Sequence, residues 1–281
     1  MTAPIVRTRA QLREMTHGWH MAGERIGVVP TMGALHDGHL SLVARAKEMA
    51  DRVIVTIFVN PKQFNSAEDL ANYPRTEHED AVKLERFAVD AIYVPDGDEM
   101  YPGGFATNIS VAGLTDVLCG AHRPGHFDGV ATVVTKLFTQ TAADLAFFGE
   151  KDFQQLQVVR RLSADLDLGV EVVGCPTIRE IDGLAMSSRN LLLSDQARGR
   201  AATLFDVMEE MAEALTKGAA MADLLPGAKS RLAAAGFGEV DYLELRRIDG
   251  LALVERAEVP ARLFAAVWLA GVRLIDNIAV G

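Results

Sequence analysis

Hydrophobic positions along this chain alternate between short β-branched runs and helical spacing. Ile26, Val28 and Val29 form a first run, and Leu42, Val43, Ala46, Met49 and Ala50 then recur every three or four residues, predicting strand, loop and helix in succession. Val53-Ile54-Val55-Thr56-Ile57-Phe58-Val59 is nearly continuous, the pattern of a strand covered on both faces in a parallel sheet, and it stops at the turn signal Asn60-Pro61. The same patterning predicts helices over Thr8 to Met21, Glu77 to Ala88, Val130 to Thr141 and Leu156 to Leu168. Between them lie strands at Asp90 to Pro95, Leu145 to Phe148 and Val170 to Cys175. Such alternation predicts an α/β fold, a Rossmann-like parallel sheet spanning residues 1–176. From Ser194 the character changes. A long helix over Asp195 to Lys217 and a second over Ala222 to Ala235, with Pro226 near its start, precede strands near Val240 to Arg247, Arg262 to Ala270 and Val272 to Ile278. Helices followed by strands predict a smaller α+β domain over residues 177–281.

Composition narrows the class. At 281 residues the chain has room for one large or two modest domains, and 49% hydrophobic residues supply ample core. The longest apolar run, Val53 to Val59, is too short to span a bilayer, so no membrane association is expected. Met1 to Met15 carries Arg7, Arg9 and Arg13 without a continuous apolar segment, so no secretory signal is expected and the cytoplasm is the expected compartment. Cys119 and Cys175 lack ligand or redox spacing and predict reduced structural thiols. A net charge of −10 argues against a protein built around nucleic-acid phosphates, and leaves room for a local positive pocket.

The candidate chemistry sits where strands run out. Pro30-Thr31-Met32-Gly33-Ala34-Leu35-His36-Asp37-Gly38-His39 joins the first strand to a helix whose N-terminus, with its unpaired N–H groups and partial positive charge, favours an anion. His36 and His39, three apart, offer two further donors on one side of that terminus. Taken alone, the pair also fits a helix cap, a solvated surface, or two ligands of a zinc site needing a third. Gln63 and Phe64 follow the second strand; Gly149-Glu150-Lys151-Asp152 follows another; Ser187-Ser188-Arg189 follows a glycine turn at Gly183. Each has a plain alternative, a solvated Lys-Asp cap or a serine turn with a surface arginine. Together, two imidazoles, a lysine, an arginine and two serines make an inventory for ATP, and their placement after strands predicts that they converge on one cleft. The Walker glycine loop and the Gly-x-Ser-x-Gly nucleophile motif are both absent, so the attacking atom is expected to come from a substrate.

His36-Asp37-Gly38-His39 resembles the His-x-Gly-His signature of the nucleotidyltransferase superfamily shared with class I aminoacyl-tRNA synthetases, and Met186-Ser187-Ser188-Arg189-Asn190 resembles its second loop. A closer resemblance, in order along nearly the whole chain, is to the pantothenate synthetase (pantoate–β-alanine ligase) family. It rests on Pro30 to His36, Phe58 to Phe64, Gly125 to Val130, Phe148 to Asp152 with Gln154-Gln155, Asp182 to Asn190, and Arg273 to Asn277. That resemblance implies a two-step ligation in which pantoate attacks ATP to give pantoyl adenylate and diphosphate, and β-alanine then displaces AMP. It implies that His36 and His39 stabilise adenylation; that Lys151, Ser187, Ser188 and Arg189 hold the phosphates; and that Asp152 holds the ribose, with Met32 and Gly149 also at ATP. Gln63 and Gln155 are implied to bind pantoate against Met32 and Phe64. Asn60, Tyr73, Arg123 and His126 are expected to support or gate. Mg2+ is expected to ride on the nucleotide, with Glu79 and Asp80 the side chains offered for any direct contact, and the family implies a homodimer whose C-terminal domain serves as lid and dimer support. Rival readings are a nucleotidyltransferase acting on a phosphorylated acceptor, an aminoacyl-tRNA synthetase, and a noncatalytic ATP-binding regulator. The chain is short and acidic and lacks a basic anticodon-binding extension, which counts against the second.

Overall fold

The computed structural model describes residues 3–281; Met1 and Thr2, at the head of the stretch considered above for a secretory signal, lie outside them. The described chain forms two compact units. The first comprises residues 3–115, 123–150 and 155–176, and the second residues 116–122, 151–154 and 177–281. Two short stretches from earlier in the sequence are therefore built into the second unit.

In the first unit β1 (Ile5–Val6) leads into α1 (Arg9–Met21), whose start is fixed by a capping box between Thr8 and Gln11. Then follow β2 (Ile26–Thr31), α2 (Asp37–Met49) and β3 (Arg52–Ile57). After a 3-10 turn at Pro61–Gln63 come α3 (Ala67–Asn72), α4 (Glu77–Leu84), β4 (Ala91–Tyr93) and α5 (Gly97–Met100). Beyond α6 (Leu118–His122), a second-unit helix, the sheet is completed through α7 (His126–Thr141), β5 (Leu145–Gly149), α8 (Phe153–Asp165) and β6 (Glu171–Cys175). The six strands are all parallel, in the order β1-β4-β3-β2-β5-β6, so both faces need cover, and Val28, Val29, Val53, Ile54 and Val55 have no solvent exposure. Two carboxylates set where the central strands begin. Asp144 accepts the Ile26 N–H at 2.7 Å, and Asp90 accepts the Val53 N–H at 2.9 Å. Both cysteines are free and buried.

The second unit stacks α9 (Asp195–Ala201), α10 (Thr203–Thr216) and α11 (Met221–Ala234) with the antiparallel sheet β7 (Phe237–Arg247), β8 (Ala261–Leu269) and β9 (Val272–Val280). Met208, Leu232, Leu245, Leu263 and Val267 are fully buried in one apolar cluster. The fold is therefore α/β with a small antiparallel sheet towards the C-terminus, as the periodicity predicts.

Details differ from the sequence expectation. The long helix expected over 195–217 is two, separated at Ala202, which keeps helical dihedrals, so the hydrogen-bond ladder breaks while the direction of the chain does not. The helix expected from Val130 begins at His126, because Gly125 at φ 78° turns the chain into it four residues earlier. Ala67–Asn72, capped by the Ser66 hydroxyl, and Gly97–Met100, capped by Asp96, are helical where a loop is expected.

Candidate active site

The β2-to-α2 crossover builds the histidine loop. Thr31 donates its hydroxyl to Thr56 O at 2.7 Å and accepts the Gly33 N–H at 3.2 Å, which ties the loop's first bend to the neighbouring strand. At Gly33, φ is 82°, which favours glycine, and a Cβ would lie 3.1 Å from Asp80 Oδ2 and 3.2 Å from Ile57 Cγ2, so both neighbours would have to give by a few tenths of an ångström. His36 is the N-cap of α2, and its ring lies 4.1 Å from that of His39, centroid to centroid. His39 Nδ1 faces the backbone N–H of His36 at 3.4 Å. A backbone N–H can only donate, so Nδ1 is the accepting atom of this contact and Nε2 is the ring nitrogen left to donate. An imidazole donor and the positive end of a helix dipole thus occupy one place. Asp80, offered above as a magnesium ligand, does not fit that role. Its side chain has no solvent exposure and both oxygens accept backbone N–H groups, from Ala34 at 2.9 Å and Leu35 at 2.8 Å.

The exit of β3 carries a second polar array in the same unit. Tyr101 donates to Asn60 Oδ1 at 2.8 Å; Asn60 Nδ2 donates to Gln63 Oε1 at 3.0 Å and to Gly129 O at 3.1 Å; Gln63 Nε2 lies 3.1 Å from Met32 Sδ. Burial pushes the Tyr101 phenol above its ordinary value, so it remains a donor. The chain of bonds then has one direction: Gln63 spends its oxygen on Asn60 and keeps its amide hydrogens for the loop that bears Met32. The backbone of Gln63 is held as well. His126 Nδ1 and Arg123 Nη2 meet its carbonyl at 2.8 Å and 3.2 Å, while Arg123 Nη1 lies 3.2 Å from His126 Nε2. Guanidinium only donates, so Nε2 accepts and the His126 proton sits on Nδ1. Helix α7 reaches this turn through Gly129, where a Cβ would lie 2.2 Å from Lys62 O. Phe64 packs edge-on to Tyr73 at 5.6 Å, and Gln155 is half-buried in α8.

In the second unit, β9 fastens both remaining clusters with consecutive residues. Asn277 Nδ2 donates to Lys151 O at 2.8 Å, and Lys151 Nζ lies 3.8 Å from Asp152 Oδ2. Asp276 receives Arg179 through two bonds, at 2.6 Å and 3.0 Å, and Arg179 also donates to Gly183 O at 3.0 Å. Arg179 pairs with Ala185 in an isolated bridge that closes the turn before Ser187. Beyond it Asn190, bonded to Glu180 and Ala185, ends the half-buried segment Ser187-Ser188-Arg189, in which the Ser187 hydroxyl accepts the Arg189 N–H at 3.3 Å. Arg198 pairs with Glu180 and Asp182 and holds the Asp182 carboxyl below its ordinary value.

Within the first unit the structure brings Met32 against Gln63, with His36 and His39 on the same loop as Met32. Within the second it ties the Lys151-Asp152 and Ser187 to Arg189 segments to one strand. Sequence reasoning missed Tyr101, Asp276 and the role of Asp80. A signal for the last is present: Asp80 stands four residues before Leu84 on the apolar stripe of α4, a poor place for a charge without a partner.

The chain is similar to known proteins over nearly its whole length. The sequence profile of the pantoate–β-alanine ligase family matches residues 4–279. The chain is 70% identical over 280 residues to a pantothenate synthetase of Roseobacter denitrificans, covering 100% of this chain and 99% of that one. Among solved structures, a pantothenate synthetase from Thermus thermophilus superposes with a TM-score of 0.91 at 43% identity, covering 98% of each chain. A pantoate–β-alanine ligase from Francisella tularensis, complexed with β,γ ATP and β-alanine, gives 0.84 at 32% identity, covering 99% of this chain and 97% of that one.

Gly129→Ala forces α7 and the Pro61–Gln63 turn apart and should destabilise the protein by about 1–3 kcal/mol, read as a lowered thermal midpoint with faster amide exchange at Gln63. The Asp182 pairing contributes stability above the ordinary carboxyl range and loses it as pH falls through the lowered folded value. Between about pH 5 and 2 the unfolding midpoint should therefore drop more steeply for the wild type than for Asp182→Asn.

Proposed function

The chain belongs to the pantoate–β-alanine ligase family, and we propose that it carries out that family's ATP-dependent ligation with the residues set out above, through a pantoyl adenylate. Membership sets aside the rival readings as a nucleotidyltransferase for phosphorylated acceptors, an aminoacyl-tRNA synthetase or a noncatalytic regulator. In the first step a pantoate carboxylate oxygen attacks the α-phosphorus of ATP, and the bond to diphosphate breaks. In the second the amine of β-alanine attacks the acyl carbon, the acyl–oxygen bond breaks, and AMP leaves with the product pantothenate formed. No side chain forms a covalent bond, so catalysis consists of positioning and of stabilising charge on the phosphoryl oxygens.

The observation that carries the assignment is the His36–His39 pair at the start of α2, with His39 Nδ1 turned to the His36 N–H. We assign His36 and His39 to the phosphoryl oxygens of the adenylation step. Lys151, Ser187, Ser188 and Arg189 bind the phosphate chain, Asp152 the ribose, and Met32 and Gly149 line the nucleotide. Because Asn60 occupies the Gln63 oxygen, Gln63 meets pantoate as a donor and suits the carboxylate, which leaves the hydroxyl to Gln155. Met32 and Phe64 wall the methyl groups. Mg2+ is proposed to enter on the phosphates of ATP, where it neutralises charge. The protein is proposed to act as a homodimer in the cytoplasm; no described helix is long and apolar enough to cross a membrane.

His39→Ala and Lys151→Ala should each lower kcat by roughly 10²–10³ with folding retained, the scale for one lost preorganised donor. Pantoate-dependent exchange of diphosphate into ATP measures this directly, and unchanged exchange in both would refute the phosphate assignment. Tyr101→Phe removes one of the two bonds to Asn60 Oδ1 and loosens the array that ends at Gln63, and should raise the KM for pantoate by about 5-fold, the worth of one hydrogen bond, with the KM for ATP unchanged in steady-state assays.

A further inference from the structure

The peptide groups just before His36 are fastened from helix α4 by two charged side chains, a fully buried Asp80 and a Lys83 that reaches in from the surface. Gly33 and Ala34 have successive positive φ values, 82° and 50°, and the Ala34 and Leu35 N–H groups converge on one carboxylate. That carboxylate is Asp80. It accepts the Ala34 and Leu35 N–H groups at 2.9 Å and 2.8 Å, and the Thr76 hydroxyl donates to it at 3.1 Å. One helical turn on, Lys83 Nζ donates to Leu35 O at 2.6 Å and stands 3.9 Å from Asp80 Oδ1. The Leu35 residue is thus gripped at its N–H by a carboxylate and at its carbonyl by an ammonium, both from one face of α4.

Two features indicate what this grip supplies. A buried carboxylate is a costly way to fill space, and an apolar side chain of the same volume would pack α4 against the loop more cheaply. What an apolar residue cannot do is hold Ala34, a residue with a Cβ, in the left-handed region and fix the plane of the next peptide. The residue after that peptide is His36, the N-cap of α2, whose backbone N–H in turn orients His39. Any rotation about Leu35 therefore turns both rings together.

We propose that Asp80, seconded by Lys83, is the positioning residue that aims His36 and His39 for adenylation. The proposal rests on the assignment of that pair to the phosphoryl oxygens. It distinguishes Asp80 from a metal ligand: the carboxylate acts through the backbone and touches neither nucleotide nor cation.

Asp80→Asn keeps the shape but turns an NH2 group on one of the two N–H donors, so one of the two bonds to the loop is lost. The expected result is a folded protein whose pantoate-dependent diphosphate exchange has a kcat about 10–100-fold lower, the scale for misplacing a reacting group by about 1 Å. Its aminolysis of supplied pantoyl adenylate by β-alanine should stay within about 3-fold of wild type, because positioning for adenylation alone is lost. Lys83→Met should show a weaker loss with the same split, and Lys83→Arg should restore exchange. If Asp80→Asn does not fold, the Lys83 pair carries the test. Equal losses in both half-reactions would mean a merely structural role and overturn the proposal, as would a folded Asp80→Asn with wild-type exchange while His39→Ala is impaired. Wild-type exchange in His39→Ala would instead remove the underlying assignment of the histidines.

Discussion

The parallel pairing of β2 with β3 governs the first unit. Six residues run in register, from Ile26 beside Arg52 to Thr31 beside Ile57, so both strands release their chains at the same end of the sheet. The pairing continues one step past the ladder, where the Phe58 N–H donates to Thr31 O and the Thr31 hydroxyl to Thr56 O. The histidine loop and the Asn60–Gln63 turn therefore start from points fixed relative to each other. Ligand sites beyond the carboxyl ends of parallel strands follow from this geometry, since only there do several loops leave side by side. Contact of Gln63 with Met32 is its local result.

Beyond those starting points, orientation is set by groups that can play only one hydrogen-bonding role. Imidazoles and amides have two chemically different ends, and a site using them needs a device to choose between the ends. A backbone N–H does so for His39, the Arg123 guanidinium for His126, and the Gly129 carbonyl and Lys62 N–H for Asn60 and, through it, Gln63. None of these deciding groups was assigned the chemistry by sequence reasoning. They act by removing one of two options from a neighbour, and the cost of breaking such a choice is a buried donor facing a donor.

That division explains how much was legible in the sequence. The β-branched runs and helical spacing announced the parallel sheet, its covering helices and the small sheet towards the C-terminus, because burial acts on neighbouring positions of one element. His36, Lys151 and Ser187 stood out as polar residues where an apolar run ends. Gly129 was harder: in sequence it is a breaker inside a glycine-rich stretch, while in the structure it lies within α7 and permits close approach to Lys62. Asp80, Tyr101 and Asp276 gain their meaning from partners 41 to 97 residues away, a distance across which no periodicity reaches. The break at Ala202 was hidden for another reason, since it leaves helical dihedrals, and hence the apolar spacing, intact.

The bond from Asn277 to the carbonyl of Lys151 joins residues 126 positions apart. Synthesis proceeds from the N-terminus at about 5–20 residues per second, so the lysine segment emerges from the ribosome roughly 6–25 s before the strand that secures it exists. All six strands of the parallel sheet precede β9, and a nascent polypeptide can pair them while that lysine still lacks its mooring. The order of translation thus separates the birth of the scaffold from the fastening of the lysine's backbone, and the latter waits on the last strand of the second sheet.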